Sequence, residues 1–178
     1  MNEIKCKLCM CGEGAVGKTS LIARFVHDKF GDKYLKTIGT NVTKKELTID
    51  IPDRELHINY TFQIWDIMGQ KEYRHFLKDS FFFGAKGVFM VFDLTRKETF
   101  EALGDWKSVV KGVAGDIPTI VLANKSDLED QWQVDLKELA DYCSSNNYKF
   151  RLTSAKTGEH VPDAFDELGK DMAHKYYI

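Results

Sequence analysis

The sequence predicts an α/β fold with a six-stranded, mostly parallel sheet, one antiparallel edge strand and helices on both faces. Three observations favour it. Segments with strand character alternate along the chain with segments of helical periodicity, which is the order of βαβ units. The runs Gly87–Asp93 (GVFMVFD) and Thr119–Asn124 (TIVLAN) are almost continuously apolar, as expected for strands covered on both faces. The glycine-rich stretch Gly12–Thr19 (GEGAVGKT) lies between a strand pattern and a helix pattern.

Length and composition fit an ordinary globular protein, and we expect a single domain over residues 1–178. The chain is 43% hydrophobic and 29% charged, which is enough to bury one core. The formal net charge of -2 indicates neither a nucleic-acid-binding surface nor a polybasic membrane patch. The sequence contains no signal peptide and no apolar run of membrane-spanning length, so we expect a cytosolic protein.

The stretch Gly12–Thr19 fits the phosphate-loop pattern GxxxxGK(S/T), which would arise by chance in roughly one chain per hundred of this length. Its setting adds specificity, because a strand-like alternation precedes it and helical spacing follows it. The apolar residues that carry these patterns are Ile4, Cys6, Leu8 and Met10 upstream, and Leu21, Ile22, Phe25 and Val26 downstream. In such a unit backbone N–H groups converge on phosphate oxygens, Lys18 reaches the β- and γ-phosphates, and the Thr19 hydroxyl binds Mg²⁺. A plain glycine turn before an ordinary helix is the structural alternative.

The next segments add two more groups that can contact a metal or a phosphate. Residues 27–41 have the polar, irregular composition of a loop and contain Thr37, a second hydroxyl for the metal. The alternation within Lys44–Trp65 predicts a β-hairpin. Asp66 follows it, and an acid at the end of a strand facing the phosphate loop can hold Mg²⁺ directly or through a water molecule. Gly69 leaves a backbone N–H free to approach a terminal phosphate.

Helical and strand patterns alternate over the rest of the chain. The elements that we expect there are an interrupted helix over Lys71–Phe83, the strand Gly87–Asp93, a helix from Thr95 or Arg96 through Val110, the strand Thr119–Asn124, a helix over Val134–Ser145, the strand Tyr148–Leu152 and a helix over Glu159–Lys175. Ligands of such sheets bind beyond the carboxyl ends of the strands. The phosphate loop, Asp66, Asn124–Asp127 and Ser154–Lys156 all follow predicted strands, so we expect them at one edge of the sheet.

The stretch Asn124–Asp127 (NKSD) indicates a choice of base. Guanine presents two adjacent donors, N1–H and the 2-amino group, which one carboxylate such as that of Asp127 can accept together. Adenine has a bare N1 and no 2-amino group there, and leaving the carboxylate unpaired should cost a few kcal/mol. The motif therefore favours guanine.

Three closely spaced cysteines, Cys6, Cys9 and Cys11, resemble a metal-binding cluster, but their spacing argues against one. On a strand Cys9 and Cys11 share a face while Cys6 points to the opposite one, so the three cannot converge on one ion. We therefore expect them to be small buried apolar residues, while Cys143 stands alone on a later helix. The five histidines fall in no ligand spacing.

These motifs resemble those of the Ras-superfamily small GTPases, and the likeness is nearest to the Rab branch. It rests on GEGAVGKT, on YLKTIG, on WDIMGQ, on NKSD and on TSAK, and it covers nearly the whole chain. The resemblance implies a P-loop NTPase fold of the small G-domain type and a GTP/GDP switch that binds its nucleotide with Mg²⁺. The nucleotide-binding residues expected on this basis are Gly12, Gly14, Ala15, Val16, Gly17, Lys18, Thr19, Ser20, Phe30, Tyr34, Thr37, Gly69, Asn124, Lys125, Asp127, Ser154, Ala155 and Lys156. The metal ligands expected are Thr19, Thr37 and Asp66.

The resemblance also implies roles in holding the base and in switching. Phe30 is expected to pack against the guanine, Lys125 to lie along the base, and the Ala155 amide to donate to O6. Thr37 lies in the segment equivalent to switch I and Gly69 in the segment equivalent to switch II. Both segments should relax when hydrolysis removes the γ-phosphate.

For hydrolysis of GTP to GDP and phosphate, the expected catalytic residues are Gln70, which orients the water, together with Lys18 and Thr37. Gly14 leaves space beside the γ-phosphate. Arg74 is the arginine nearest in sequence to this site, but we expect it on a mobile helix. The rate should therefore be slow without a GTPase-activating partner that supplies an arginine or positions the water.

An apolar patch beside the two switches would bind effectors in the GTP state. Its expected members, for which core packing is the structural alternative, are Ile38, Val42, Trp65, Tyr73, Phe76 and Leu77. The resemblance further implies a GTPase-activating protein and an exchange factor as partners, and no nucleic acid. The final residues HKYYI contain no cysteine for prenylation, so membrane association would require a lipidated tail beyond this sequence.

Switch II departs from the family pattern. Where Rab proteins usually read DTAGQE, this chain reads DIMGQK, with Ile67, Met68 and Lys71 at the changed positions. The metal and phosphate contacts survive, because they use Asp66 and a glycine backbone. The packing of switch II and the action of exchange factors are affected, and Glu72 is the candidate to replace the lost acid.

Two alternatives to a hydrolysing switch stay open at this point. The first is a GTP-binding interaction module with negligible hydrolysis, which the altered switch II allows. The second is another P-loop enzyme, such as a small-molecule kinase, in which NKSD would be coincidental. Equal, negligible phosphate release from the wild type and Gln70→Leu would favour the module. Tight ATP binding without preference for guanine would favour the kinase.

Overall fold

The computed structural model describes residues 3–31 and 37–178, and the prediction made for Tyr34 lies outside them. Strands and helices alternate along the chain. The strands are β1 (Glu3–Cys11), β2 (Thr40–Ile51), β3 (Leu56–Ile67), β4 (Ala85–Asp93), β5 (Thr119–Asn124) and β6 (Lys149–Thr153). The α-helices are α1 (Lys18–His27), α2 (Lys71–Arg74), α3 (Lys78–Phe82), α4 (Lys97–Glu101), α5 (Leu103–Ala114), α6 (Leu136–Ser145) and α7 (Val161–Tyr176).

The strands form a six-stranded sheet in the order β2-β3-β1-β4-β5-β6. β2 lies at one edge and runs antiparallel to β3, whereas the other neighbouring pairs are parallel. This confirms the predicted mostly parallel sheet with one antiparallel edge strand. The register sets Met10 beside Asp66 and Asp93 beside Asn124, so the carboxyl ends of β1, β3, β4 and β5 meet at one edge of the sheet.

Apolar side chains cover both faces of the sheet in two buried clusters. Successive residues of β1 point to opposite faces, so Cys6 and Leu8 pack with α1 and α7 while Cys9 and Cys11 pack with α3 and α5. All four cysteines are free and buried, as predicted for the three in β1. Within residues 3–31 and 37–178, no group of three His, Cys, Asp or Glu side chains is placed to hold a metal ion.

The helices follow the predicted order with small changes in their ends. The segment after β3 is interrupted as predicted, forming α2 and α3, whereas the helix predicted between β4 and β5 is divided at Ala102 into α4 and α5. α6 begins at Leu136 instead of Val134, because Asp135 caps it and accepts a hydrogen bond from the Lys137 backbone N–H. In the part of the chain that the structure describes, no helix is long and apolar enough to span a bilayer.

Candidate nucleotide-binding site

The loop between β1 and α1 carries the predicted phosphate-binding residues, and its geometry requires two of its glycines. Gly12 and Gly17 have φ angles of 143° and 104°, a region that residues with side chains rarely adopt. A side-chain carbon at Gly12 would overlap the Val91 carbonyl, and one at Gly17 would overlap the Asn124 side chain. Gly14 faces open space. The loop is therefore packed tightly on its sheet side and open on the other.

Lys18 begins α1, and its side chain turns back into the loop. Its buried ammonium donates to the carbonyls of Gly12 and Glu13, at 2.7 Å each. Burial lowers the pKa of Lys18 to about 8, and the nearby carboxylate of Asp66 only partly offsets this effect. An ammonium has three N–H donors, so these two bonds leave one for a phosphate oxygen.

The three predicted metal ligands lie together beside the start of α1. The Thr19 hydroxyl donates to Oδ2 of Asp66 at 2.5 Å and lies 3.0 Å from the Thr37 hydroxyl. Oδ1 of Asp66 is buried and has no hydrogen-bond partner among the described residues. Burial raises the pKa of Asp66, and the Thr19 hydrogen bond and the Lys18 charge only partly oppose it. A free carboxylate oxygen beside two hydroxyls is an all-oxygen set of the kind that Mg²⁺ prefers, so the residues present fit this ion.

Gly69 brings switch II directly against the phosphate loop. A side-chain carbon at Gly69 would overlap the backbone of Glu13 and Gly14, so the close approach requires glycine. Ile67 and Met68, the two apolar residues that depart from the family pattern, are buried in the cluster with α3 and α5. These two residues therefore pack switch II against the core, and Gly69 still lies against the phosphate loop.

Asn124 ties the phosphate loop to the two base-binding segments. Its side-chain N–H donates to the Val16 carbonyl at 2.9 Å. Its side-chain oxygen accepts from the Thr153 hydroxyl at 3.2 Å and from the Ala155 backbone N–H at 3.3 Å. The contact of that amide with O6 of guanine stays a prediction. The Asn124 side chain thus fixes the spacing between the phosphate loop and the loops that follow β5 and β6.

Asp127 and the loop after β6 are joined by a second set of bonds. The Ser154 hydroxyl donates to a carboxylate oxygen of Asp127 at 2.6 Å, which fixes the orientation of that carboxylate. Arg24 of α1 donates from Nε to the Ala155 carbonyl at 2.9 Å and from Nη2 to the Lys156 carbonyl at 2.6 Å. The sequence reasoning missed Arg24, because an arginine in the last turn of a helix is an ordinary surface residue in sequence.

Lys125 is held by a carboxylate that the sequence reasoning missed. Its ammonium lies 2.5 Å from Oδ2 of Asp93, the fully buried last residue of β4. Oδ1 of Asp93 accepts from the backbone N–H and the hydroxyl of Thr95. Burial alone would raise the pKa of Asp93, but the hydrogen bonds from Lys125 and Thr95 outweigh it and hold the pKa below its ordinary value. The signal available in the sequence was an acid directly after a buried strand.

Arg74 is buried beside the phosphate loop, while the mobility expected for its helix stays a prediction. Its side chain is only 3% exposed, and its guanidinium pairs with the carboxylate of Glu13 in the phosphate loop. The guanidinium also lies 4.2 Å from the centre of the Trp106 ring, whose N–H donates to Glu13 at 3.1 Å. Asp105 on α5 is a weaker, exposed partner at 3.4 Å. In this structure Arg74 therefore joins switch II to the phosphate loop and α5, whereas the candidate acid Glu72 is exposed.

The six apolar residues beside the switches divide into two groups. Ile38 and Phe76 are 88% and 87% exposed, and Val42 and Tyr73 are about half exposed. The two that pack partly against the core are Trp65 and Leu77. Phe83, which is not a member of the predicted patch, is exposed as well. The structure thus supports a surface role for four of the six and a mixed role for the others.

The remaining predicted residues surround this site. Ser20 lies in the first turn of α1, and Phe30 follows that helix with 37% of its surface exposed. Gln70 is partly exposed and directly precedes α2. Ala15 and Lys156 are exposed at the phosphate loop and at the loop after β6. The role of each side chain toward a nucleotide stays a prediction.

Comparisons with known proteins agree with this geometry. A model of the Ras family matches residues 7–174. The Ras-related protein Rab-13 of Canis lupus familiaris is 31% identical over 95% of this chain and 80% of its own length. The Ras-related protein Rab-2B of Dictyostelium discoideum is 32% identical over 95% of this chain and 81% of its own length. The Ras-related protein Rab-21 of Geodia cydonium is 34% identical over 94% of this chain and 70% of its own length. The chain therefore belongs to the Ras family and is a Rab-like small GTPase with a P-loop fold.

Proposed function

We propose that this protein is a GTP/GDP switch that binds guanine nucleotide with Mg²⁺ and hydrolyses GTP to GDP and phosphate. The observation that carries the proposal is the buried Oδ1 of Asp66, which has no hydrogen-bond partner among the described residues. Oδ2 of the same carboxylate accepts from the Thr19 hydroxyl, which lies beside the Thr37 hydroxyl at the start of α1. A buried carboxylate oxygen without a partner is costly unless a ligand completes its contacts. Magnesium bound with a nucleoside triphosphate would complete them, and the Lys18 ammonium, which contacts the Gly12 and Glu13 carbonyls, adds positive charge at the loop.

The hydrolysis step follows from the charges at this site. Transfer of the γ-phosphoryl group to water needs an in-line water molecule and neutralisation of charge on the phosphate oxygens. Mg²⁺, when bound, supplies part of that neutralisation. Lys18 and the loop amides supply the rest, and Gln70 orients the water. The guanidinium of Arg74 is already paired with Glu13, so we expect slow hydrolysis until a partner supplies an arginine or positions the water.

Base selection rests on Asp127. The Ser154 hydroxyl holds one of its oxygens, and the carboxylate keeps acceptor capacity for the N1–H and 2-amino groups of guanine. An adenine nucleotide would leave that capacity unpaired. The alternative of a small-molecule kinase with a coincidental NKSD stretch has no support in a chain that belongs to the Ras family.

The switch cycle implies partners and a cellular role. We infer a GTPase-activating protein, an exchange factor, and effectors that bind the surface formed by Ile38, Val42, Tyr73 and Phe76 in the GTP state. The Rab-named relatives favour a role in membrane traffic or signalling. We place the protein in the cytoplasm.

Calorimetry of the nucleotide-free protein tests the proposal. In the presence of Mg²⁺, GTP and GDP should bind at least about a hundredfold more tightly than ATP, which corresponds to roughly 2.7 kcal/mol. Asp127→Ala should remove most of that preference, whereas Asp130→Ala, at an exposed acid in the neighbouring turn, should keep it. Equal titration of ATP and GTP, or a preference retained in Asp127→Ala, would contradict the proposal.

A further inference from the structure

Arg96 connects the phosphate loop to the end of β4. Its Nη2 donates to the Gly14 carbonyl at 2.8 Å, and its Nε donates to Oδ2 of Asp93 at 3.1 Å. The same Asp93 oxygen lies 2.5 Å from the ammonium of Lys125. One buried carboxylate therefore joins a cation that touches the phosphate loop to a cation of the NKSD stretch.

The bond to Gly14 acts on the next amide of the loop. A trans peptide is planar, and its carbonyl and N–H point in opposite directions. A donor on the Gly14 carbonyl therefore leaves the Ala15 N–H directed away from Arg96. Ala15 has a φ angle of 61°, in the left-handed region that alanine rarely adopts, so local preference alone does not hold this peptide in place. A charged donor on the carbonyl also polarises the peptide and makes the N–H a better donor.

Arg96 is itself well fixed for this purpose. The Thr99 hydroxyl donates to its backbone carbonyl at 2.7 Å, and the Asp93 carboxylate that holds its side chain is fully buried. About a third of the Arg96 side chain, 34%, is exposed.

We propose that Arg96 is a positioning residue for the nucleotide, holding the Gly14–Ala15 peptide so that the Ala15 N–H is directed at a phosphate oxygen. Through Asp93 and Lys125 it also links that peptide to the base-binding loop. The proposal rests on the proposed function and names a residue beyond the recognised motifs. Loss of the guanidinium speeds nucleotide release and leaves the fold intact, because Asp93 keeps its bonds to Lys125 and Thr95.

The test compares the wild type with Arg96→Ala, Arg96→Gln and Arg96→Lys, all loaded with GDP and Mg²⁺. Arg54→Ala is the matched control, because Arg54 is an exposed arginine in the hairpin turn. Release of a fluorescent GDP analogue should be about ten to a hundred times faster in Arg96→Ala, as expected for the loss of a charge-assisted hydrogen bond. The release rate of Arg96→Lys should lie between those of the wild type and Arg96→Ala, because a single ammonium cannot contact both partners as a guanidinium does. Arg54→Ala should match the wild type.

An NMR measurement separates a positioning role from a merely structural one. The amide ¹⁵N frequency of a residue responds to hydrogen bonding at the preceding carbonyl, so the Ala15 resonance should move upfield in Arg96→Ala and stay in place in Arg54→Ala. If Arg96→Ala does not fold, the test uses Arg96→Gln. Glutamine carries no charge and is too short to contact both the Gly14 carbonyl and Asp93, so the GDP release rate and the Ala15 resonance of that variant test the proposal in the same way. An unchanged Ala15 resonance and release rate in a protein that binds GDP would overturn this proposal and leave the proposed function standing. A wild type that does not bind GDP would overturn the proposed function itself.

Discussion

Replacement of Arg74 by methionine tests the buried ion pair between switch II and the phosphate loop. The variant leaves the Trp106 N–H, at 3.1 Å, as the remaining partner of the Glu13 carboxylate that the structure describes. The side chains of Arg74 and Glu13 are 3% and 13% exposed, so water cannot fully replace the lost guanidinium. Removal of one partner from a buried ion pair costs about 3–5 kcal/mol, and the slight exposure of Glu13 lowers our expectation to roughly 2–4 kcal/mol.

Urea unfolding, followed by circular dichroism with the same GDP and Mg²⁺ concentrations throughout, measures this loss. A fall of about 2–4 kcal/mol corresponds to a thermal midpoint roughly 5–15 °C lower for a domain of this size. Arg54→Met is the control, and we expect it to remain within about 0.5 kcal/mol of the wild type because that arginine is exposed. The ion pair of Arg74 with Asp105 should contribute little to the free energy of unfolding, because the Asp105 side chain is 74% exposed.

Glu13→Gln and the double variant with Arg74→Met complete a double-mutant cycle. Both single changes break the same pair, so the double variant should lose less than the sum of the two by about 1–3 kcal/mol. Strictly additive losses, or an Arg74→Met protein as stable as Arg54→Met, would refute the reasoning that this pair is buried and coupled.

Three further predictions concern hydrolysis, pH and partners. Gln70→Leu should lower single-turnover phosphate release by at least about tenfold while GTP affinity stays within about twofold, because this side chain orients water and does not hold the nucleotide. Equal, negligible rates in both proteins would instead favour a GTP-binding module. Asp93→Asn should lower the free energy of unfolding by about 2–4 kcal/mol at neutral pH. In urea unfolding, the difference in this free energy between the variant and the wild type should shrink below about pH 4. The lowered pKa of Asp93 adds stability that is complete above the ordinary carboxyl pKa and is lost as the pH falls through the lowered value, so a difference independent of pH would contradict this assignment. Phe76→Ala should weaken capture of GTP-selective partners by about tenfold in pull-downs, whereas Phe83→Ala, at an exposed phenylalanine outside the predicted patch, should not. Unchanged capture of every such partner by Phe76→Ala would remove the support for the patch.

The sequence by itself determined the features whose signals are local. The period of each segment identified the strands and helices to within a few residues, and the phosphate loop, Asp66, NKSD and TSAK each lie at the carboxyl end of a strand or directly after it. The carboxyl ends of parallel strands meet at one edge, so the order of the elements was enough to predict that these motifs come together. The register of Met10 with Asp66 and of Asp93 with Asn124 confirms that prediction.

Only the tertiary structure decided which partners the charged side chains take. Arg74 pairs with Glu13 across 61 residues of sequence, and Arg24 reaches the Ala155 carbonyl across 131. An arginine in a helical turn has the same sequence neighbours whether its side chain is buried or exposed, and for that reason the burial of Arg74 and its pair with Glu13 could not be predicted. Asp93 likewise forms its ion pair with Lys125 because the pairing of β4 with β5 brings the ends of the two strands together. Ion pairs depend on distance in space, and between residues far apart in the chain that distance is set only when the sheet has formed.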